Sequence, residues 1–246
     1  MALSNFPRKR SWPTSRCGRT DRHAVSDPPT SNITSRDMPN APENEGLDFD
    51  SVLGELQLYG LLLASDKRLI SVTTLVSGAS VSGSWWASPH SHKIFNVMRS
   101  LTAHPDVTLA KLINQKVTYV HRKLWGALVA VGNEQAPWQF RSLSPQAREL
   151  FRQVTRTGAY STNQAPDPKH CGQAAAELEA RLLVCAEEMH TESGSHAKLL
   201  LTWEQWCESR RFTPGSLALE EGKAQIEIAV LALPMAEPVR LSLPWR

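Results

Sequence analysis

Residues 106–132 read DVTLAKLINQKVTYVHRKLWGALVAVG, and the fold turns on how this stretch is parsed. Val107, Leu109, Val117 and Tyr119 alternate with Thr108, Lys116 and Thr118 at period two, the pattern of half-buried strands. Leu112-Ile113 interrupts the alternation just before Asn114-Gln115, so the stretch predicts a hairpin that turns at those two residues. Near His121 the period changes. Leu124, Trp125, Leu128, Val129 and Val131 recur at helical spacing, and Gly132 stands where a helix would end.

This parsing places Lys111 and Lys116 beside the hairpin tip, and His121, Arg122 and Lys123 in the first turn of the helix. Cations gathered on one edge suit phosphates. Basic residues at a helix N-terminus oppose the helix dipole, so something other than helix stability favours them there.

Working outward, residues 47–64 predict a helix through Phe49, Val52, Leu53, Leu56, Tyr59, Leu62 and Leu63, capped by Asp48 or Asp50. A short apolar run follows over residues 70–76, closed by Gly78, and then the pair Trp85-Trp86 in a turn-rich segment. Adjacent tryptophans can stack on unpaired bases, but their large apolar area favours burial. A helix is expected from His90-Ser-His92 to His104-Pro105, where proline stops it. His90 and His92 have no matching acidic or thiol pair nearby, so no metal site is assigned.

On the other side, Ser144-Pro145 signals a helix start, with Ala147, Leu150, Phe151 and Val154 inward and Arg148, Arg152 and Arg156 four apart on the outer face. Residues 157–172 are expected to be a polar loop, 173–184 a helix, and 183–201 a second hairpin with a polar tip at 190–196. A short helix opens at Trp203, and a last helix spans about residues 216–232 before a tail that Trp245 pins to the body. Helix, loop, helix and hairpin is the order of a winged helix-turn-helix.

The fold class predicted is therefore α+β, mainly helical with two short β-hairpins, winged-helix-like and in tandem. Its expected divisions are a disordered leader at 1–45, winged-helix-like units at 46–140 and 141–212, and a C-terminal helix and tail at 213–246. The leader is rich in Ser, Thr, Pro and Arg and poor in aliphatics, and so does not repay the entropy of ordering. It holds a Pro-Arg-Lys-Arg run at 7–10, and Met38 offers a second translation start.

The net charge of +3 conceals a split. Residues 92–156 hold ten Lys/Arg against three Asp/Glu, whereas residues 177–237 hold eleven acidic against five basic side chains. The first imbalance has the form of an electrostatic footprint for a polyanion, and the second would suit a protein partner. Four cysteines without CxxC spacing, no secretory signal and no run of 18 apolar residues point to a cytoplasmic chain that does not span a membrane. No nucleotide-binding or hydrolase motif occurs, and no cofactor is implied. A cluster of His190, Glu192, Ser193, Ser195 and His196 sits at the second hairpin tip. It could serve acid–base chemistry, or metal binding with Cys185, but a solvated tip suits contact with nucleic acid or another chain better.

The segments SGSWW at 82–86, KLINQKVTYVHRKLW at 111–125, HTESGSHA at 190–197 and WEQW at 203–206 resemble an uncharacterised bacterial family. More distantly they are similar to winged-helix DNA glycosylases that excise alkylated or crosslinked bases. Over residues 50–210 the resemblance implies tandem winged helices with a concave basic surface for DNA. The glycosylases act through a Gln-x-Asp or Gln-x-Gln element. This chain has Gln135-Ala-Pro and Gln115-Lys-Val in its place, so no catalytic residue is carried over.

The expected function is duplex DNA binding, in repair or transcription, through Lys111, Lys116, His121, Arg122, Lys123, Arg148, Arg152, His190, Ser193 and His196. The alternatives are base excision, with Trp85 or Trp86 against an extruded base, and a scaffold docking a partner through the acidic C-terminal half.

Overall fold

In the computed structural model, the residues described are 46–81, 83–190, 196–235 and 241–246. The leader expected to be disordered, its basic run and Met38 lie outside them, as does Ser193.

The first helix, α1 (Phe49–Tyr59), starts where the Asp48 carboxylate accepts from the Ser51 amide at 3.0 Å, and it ends at Gly60 in the left-handed region (φ 84°). The helix expected to run to residue 64 stops here. Leu61–Leu63 forms strand β1 instead, all three side chains being buried. A continuous short apolar run fits either period, and the glycine decides it. Then come α2 (Val72–Ser77), capped by Ser71, and α3 (Ser91–Ala103). The predicted hairpin follows as β2 (Val107–Lys111) and β3 (Val117–His121), with Asn114 and Gln115 at positive φ in its turn. Both β1 and β2 pair antiparallel with β3, giving the sheet order β1-β3-β2.

The helix after the hairpin begins later than the periodicity implies. His121 still belongs to β3, Arg122–Leu124 is a 3-10 turn, and α4 spans Trp125–Asn133. Gly132 lies inside α4 and does not cap it. A Cβ there would stand 2.0 Å from Trp203 Nε1, so the glycine is a packing requirement. One turn, α5 (Pro137–Phe140), occupies the expected connector.

The second half follows the order of the first without a counterpart of α2. Helix α6 (Pro145–Thr157) starts at the predicted Ser144 cap, and β4 (Ala159–Ser161) and a 3-10 turn (Thr162–Gln164) follow. Then come α7 (Pro168–Ala180), β5 (Cys185–His190) and β6 (His196–Leu201), with sheet order β4-β6-β5. The polar loop expected at 157–172 thus contains a strand, a 3-10 turn and the start of a helix. Asp167 caps that helix through the His170 amide and Pro168 takes its first position. It ends at Ala180, earlier than expected, because Leu182 turns to φ 55°. Helices α8 (Trp203–Ser209) and α9 (Leu219–Leu231) complete the chain.

The fold is α+β, with two three-stranded antiparallel sheets among the described residues. All the described residues fall in one compact unit. The halves share a core: Leu182, Cys185, Leu201, Trp203 and Trp206 join the hydrophobic cluster of the first half. Trp125 and Trp206 meet edge to face at 4.9 Å, and Trp203 donates from Nε1 to the Leu182 carbonyl at 2.8 Å. Trp245 holds the tail as expected, packing on Trp138 and donating to Glu227 Oε1 at 2.7 Å. Among the described residues, no helix is long and apolar enough to cross a membrane.

Candidate nucleic-acid interface

The cations of the central hairpin do converge on its two ends, and each has a partner within the chain. Lys111, the last residue of β2, approaches Glu179 of α7 at 3.3 Å, and Glu179 also binds Lys198 of β6. Lys116 meets Asp66 at 2.6 Å. Partial burial opposes ionisation of Asp66. The Lys116 hydrogen bond and the Arg68 and Leu69 amides outweigh that penalty and hold its carboxyl below the ordinary value.

Arg122 pairs with Asp106 at 3.2 Å and lies over the Trp125 and Phe212 rings, 5.3 and 5.8 Å from their centroids. Lys123 donates from Nζ to the carbonyls of Gln57 and Leu58, both at 2.7 Å, and so closes the C-terminus of α1. His121 sits between these groups, and burial pushes its imidazole below the usual value, against the pull of Asp106. Arg122 and Lys123 precede α4 within the 3-10 turn and do not crowd its first turn. This removes the conflict with the helix dipole, and Lys123 in fact complements the dipole of α1.

The tip of this hairpin is also occupied. Ile113 is fully buried, and Asn114 exchanges two hydrogen bonds with Ser242 in the C-terminal tail: its N–H donates to the Ser242 carbonyl at 2.8 Å and its Oδ1 accepts from the Ser242 amide at 2.9 Å. A polar groove of about 390 Å³ runs between the tip, α7 and the tail, with Gln115, Gln173 and Arg181 on its walls.

On α6, Arg148 donates to the Phe140 carbonyl at 2.8 Å and Arg152 pairs with Glu149 at 2.6 Å. His190 and His196 are opposed at the ends of β5 and β6. Cys185 is deeply buried and its thiol is pushed up to about 12, chiefly by that burial, so it is an inert core residue. Among the described residues, no three His, Cys, Asp or Glu side chains are grouped to hold a metal.

A different surface is left open. Trp85 and Trp86 form a 3-10 turn ahead of α3, their rings stacked at 4.0 Å and 25°. The expectation of burial holds in part for Trp85, which packs on the core, and fails for Trp86, which is 62% exposed. The Trp86 ring meets Phe95 of α3 at 5.7 Å. His92, Lys93, Asn96, Arg99 and Ser100 share the exposed side of α3, while Ile94, Val97 and Leu101 face the core. Lys93 donates to the Gly46 carbonyl. Among the described residues, neither Lys93 nor Arg99 has a carboxylate within ion-pair distance.

The signal for this surface was present in the sequence as a gap. No Asp or Glu occurs from residue 67 to residue 105, while Lys67, Arg68, Lys93 and Arg99 do. Counting basic residues over a wider window hid it, because the denser cations of the hairpin dominate the count.

No protein-family model matches the chain, and comparisons with curated proteins and with solved structures likewise give no match.

Proposed function

We propose that the chain is a nucleic-acid-binding protein built of two winged-helix units in tandem, and that α3 is the helix that faces duplex DNA. The observation that carries this reading is the repeated order of helix, strand, helix, strand, strand, with α2 and a 3-10 turn between the first strand and the second of these helices in the first half, a 3-10 turn alone there in the second half, and the first strand joining each sheet beside the third. In a winged-helix unit the helix before the hairpin is the one offered to the major groove. In the first unit that helix carries no acidic residue, whereas α7 of the second carries Glu177 and Glu179. Of the two, α3 is the one whose charge suits a polyanion.

On this reading, Lys93 and Arg99 meet phosphates or guanine edges and Asn96 lies between them on the same face, where an amide can pair with adenine. The hairpin cations hold the scaffold in place and contribute to the surrounding potential. The test is binding to a duplex of about 20 base pairs as a function of salt. Affinity should fall steeply with salt, and Arg99→Ala should lower the slope of log K against log salt by about one. Binding that is absent, or indifferent to salt, would remove the reading.

A further inference from the structure

We propose that the Trp85-Trp86-Phe95 cluster is a stacking site for an unpaired nucleobase, placed at the end of the α3 face. It rests on the nucleic-acid reading above and adds a strand preference to it.

Three observations carry the inference. First, Trp86 is held in a defined pose although it is solvent-exposed. Trp85, itself packed on the core, supports one face of its indole at 4.0 Å, and Phe95 abuts it at 5.7 Å. A fixed indole with an open face loses little conformational freedom on binding a flat partner. Second, the exposure is large for such residues: Trp86 is 62% and Phe95 41% accessible, two neighbouring aromatic rings that burial would otherwise favour. Third, the surround is cationic. Lys93 and Arg99 lie on the exposed side of the same helix, and no acidic residue occurs in the 39-residue span from 67 to 105.

Aromatic faces bordered by cations match a nucleotide, which pairs a flat π-system with a phosphate. A base inside a duplex already has both faces stacked. The occupant is therefore an unpaired base, from a single strand or a loop. The serine-rich approach through Ser80 and Ser84 adds no negative charge to compete with the phosphate, and Ser80 Oγ ties it to the Lys67 carbonyl at 3.0 Å.

The experiment uses the full chain and two labelled probes, a thymidine oligonucleotide of about 20 residues and a blunt duplex of about 20 base pairs, followed by fluorescence anisotropy. Trp86→Ala should weaken the single-stranded probe about tenfold, as the loss of one stacked base would, and leave duplex affinity within about twofold. Trp86→Phe, which keeps an aromatic face, should recover most of the loss. Because Trp86 is exposed, both variants should keep the native melting temperature, which checks that they are folded.

Unchanged single-strand affinity in Trp86→Ala, or an equal loss in both variants, overturns the stacking site. An equal loss on both probes also overturns it, since a paired base cannot use the platform. If Trp86→Ala affects neither probe while Arg99→Ala weakens both, stacking falls and the duplex reading stands. If the unaltered chain binds neither probe, both fall.

Discussion

The edge of the β2–β3 hairpin and the outer face of α3 are both basic, yet they use charge in opposite ways. Along the hairpin, Lys111, Lys116, Arg122 and Lys123 are each committed to a partner far away in sequence: Glu179, Asp66, Asp106 and the end of α1. On α3, Arg99 has no ion-pair partner among the described residues, and Lys93 gives one hydrogen bond to the Gly46 carbonyl and lies near enough to Asp48 to favour its ionised form. A dense run of cations in a sequence is therefore a poor guide to a binding surface when the chain supplies the counter-ions itself. The comparison implies that hairpin substitutions should act first on stability, and α3 substitutions on binding alone.

The largest effect should come from Glu179. Its side chain is only 11% exposed and bridges Lys111 of the first half to Lys198 of the second. Removing it leaves two cations facing one another in a half-buried setting, which costs far more than an exposed pair. Glu179→Ala should lower unfolding free energy by about 2–3 kcal/mol, measured by urea titration. A loss below about 0.5 kcal/mol would mean that the lysines are adequately solvated and available, and the contrast with α3 would collapse.

Lys123 should come next. Its ammonium satisfies two carbonyls at the C-terminus of α1 and complements that helix's dipole. Lys123→Met keeps most of the alkyl stem while deleting the charge, and should cost about 1–2 kcal/mol in the same titration.

The Asp66–Lys116 pair gives a pH test. The carboxyl of Asp66 is held below its ordinary value in the folded chain, so its contribution is fully present above the unfolded value of about 3.8 and is lost as pH falls through the lower folded value. Melting temperature followed from about pH 5 to about pH 2 should drop more steeply in the unaltered chain than in Asp66→Asn. The Asn variant should already have lost a contribution of about 1 kcal/mol at neutral pH. Parallel curves would show that the pair carries no energetic weight.

Parts of this arrangement were legible in the sequence. The hairpin turning at Asn114-Gln115 and the start of α6 at Ser144-Pro145 could be placed because alternation and capping are local signals. Strand β1 could not, since Leu61–Leu63 is too short and too uniformly apolar to declare a period, and β4 lies in a polar stretch with no apolar pattern at all. Each missed strand is the first of its sheet and pairs with the last strand of its hairpin, about 40 to 60 residues on. That pairing defines the repeat and is non-local. The ion pairs were invisible for the same reason: Lys116 and Asp66 are 50 residues apart, and nothing in the sequence around either announces the other. The exposure of Trp86 was misjudged because a tryptophan's area argues for burial in general, whereas here its twin takes the inner position.

The smallest expected effect tests the comparison most directly. If α3 is a face reserved for a ligand, then Lys93 and Arg99 contribute nothing to the core that α3 builds with Ile94, Val97 and Leu101. Arg99→Ala should change unfolding free energy by less than about 0.5 kcal/mol, the ordinary range for a surface substitution. Lys93→Ala should do the same, apart from its hydrogen bond to the Gly46 carbonyl. Alanine is the better helix former, so a slight gain is the more natural direction for Arg99. The double variant should therefore melt with the unaltered chain while losing duplex affinity. A double variant that melts several degrees lower would place these cations with those of the hairpin, as parts of the scaffold.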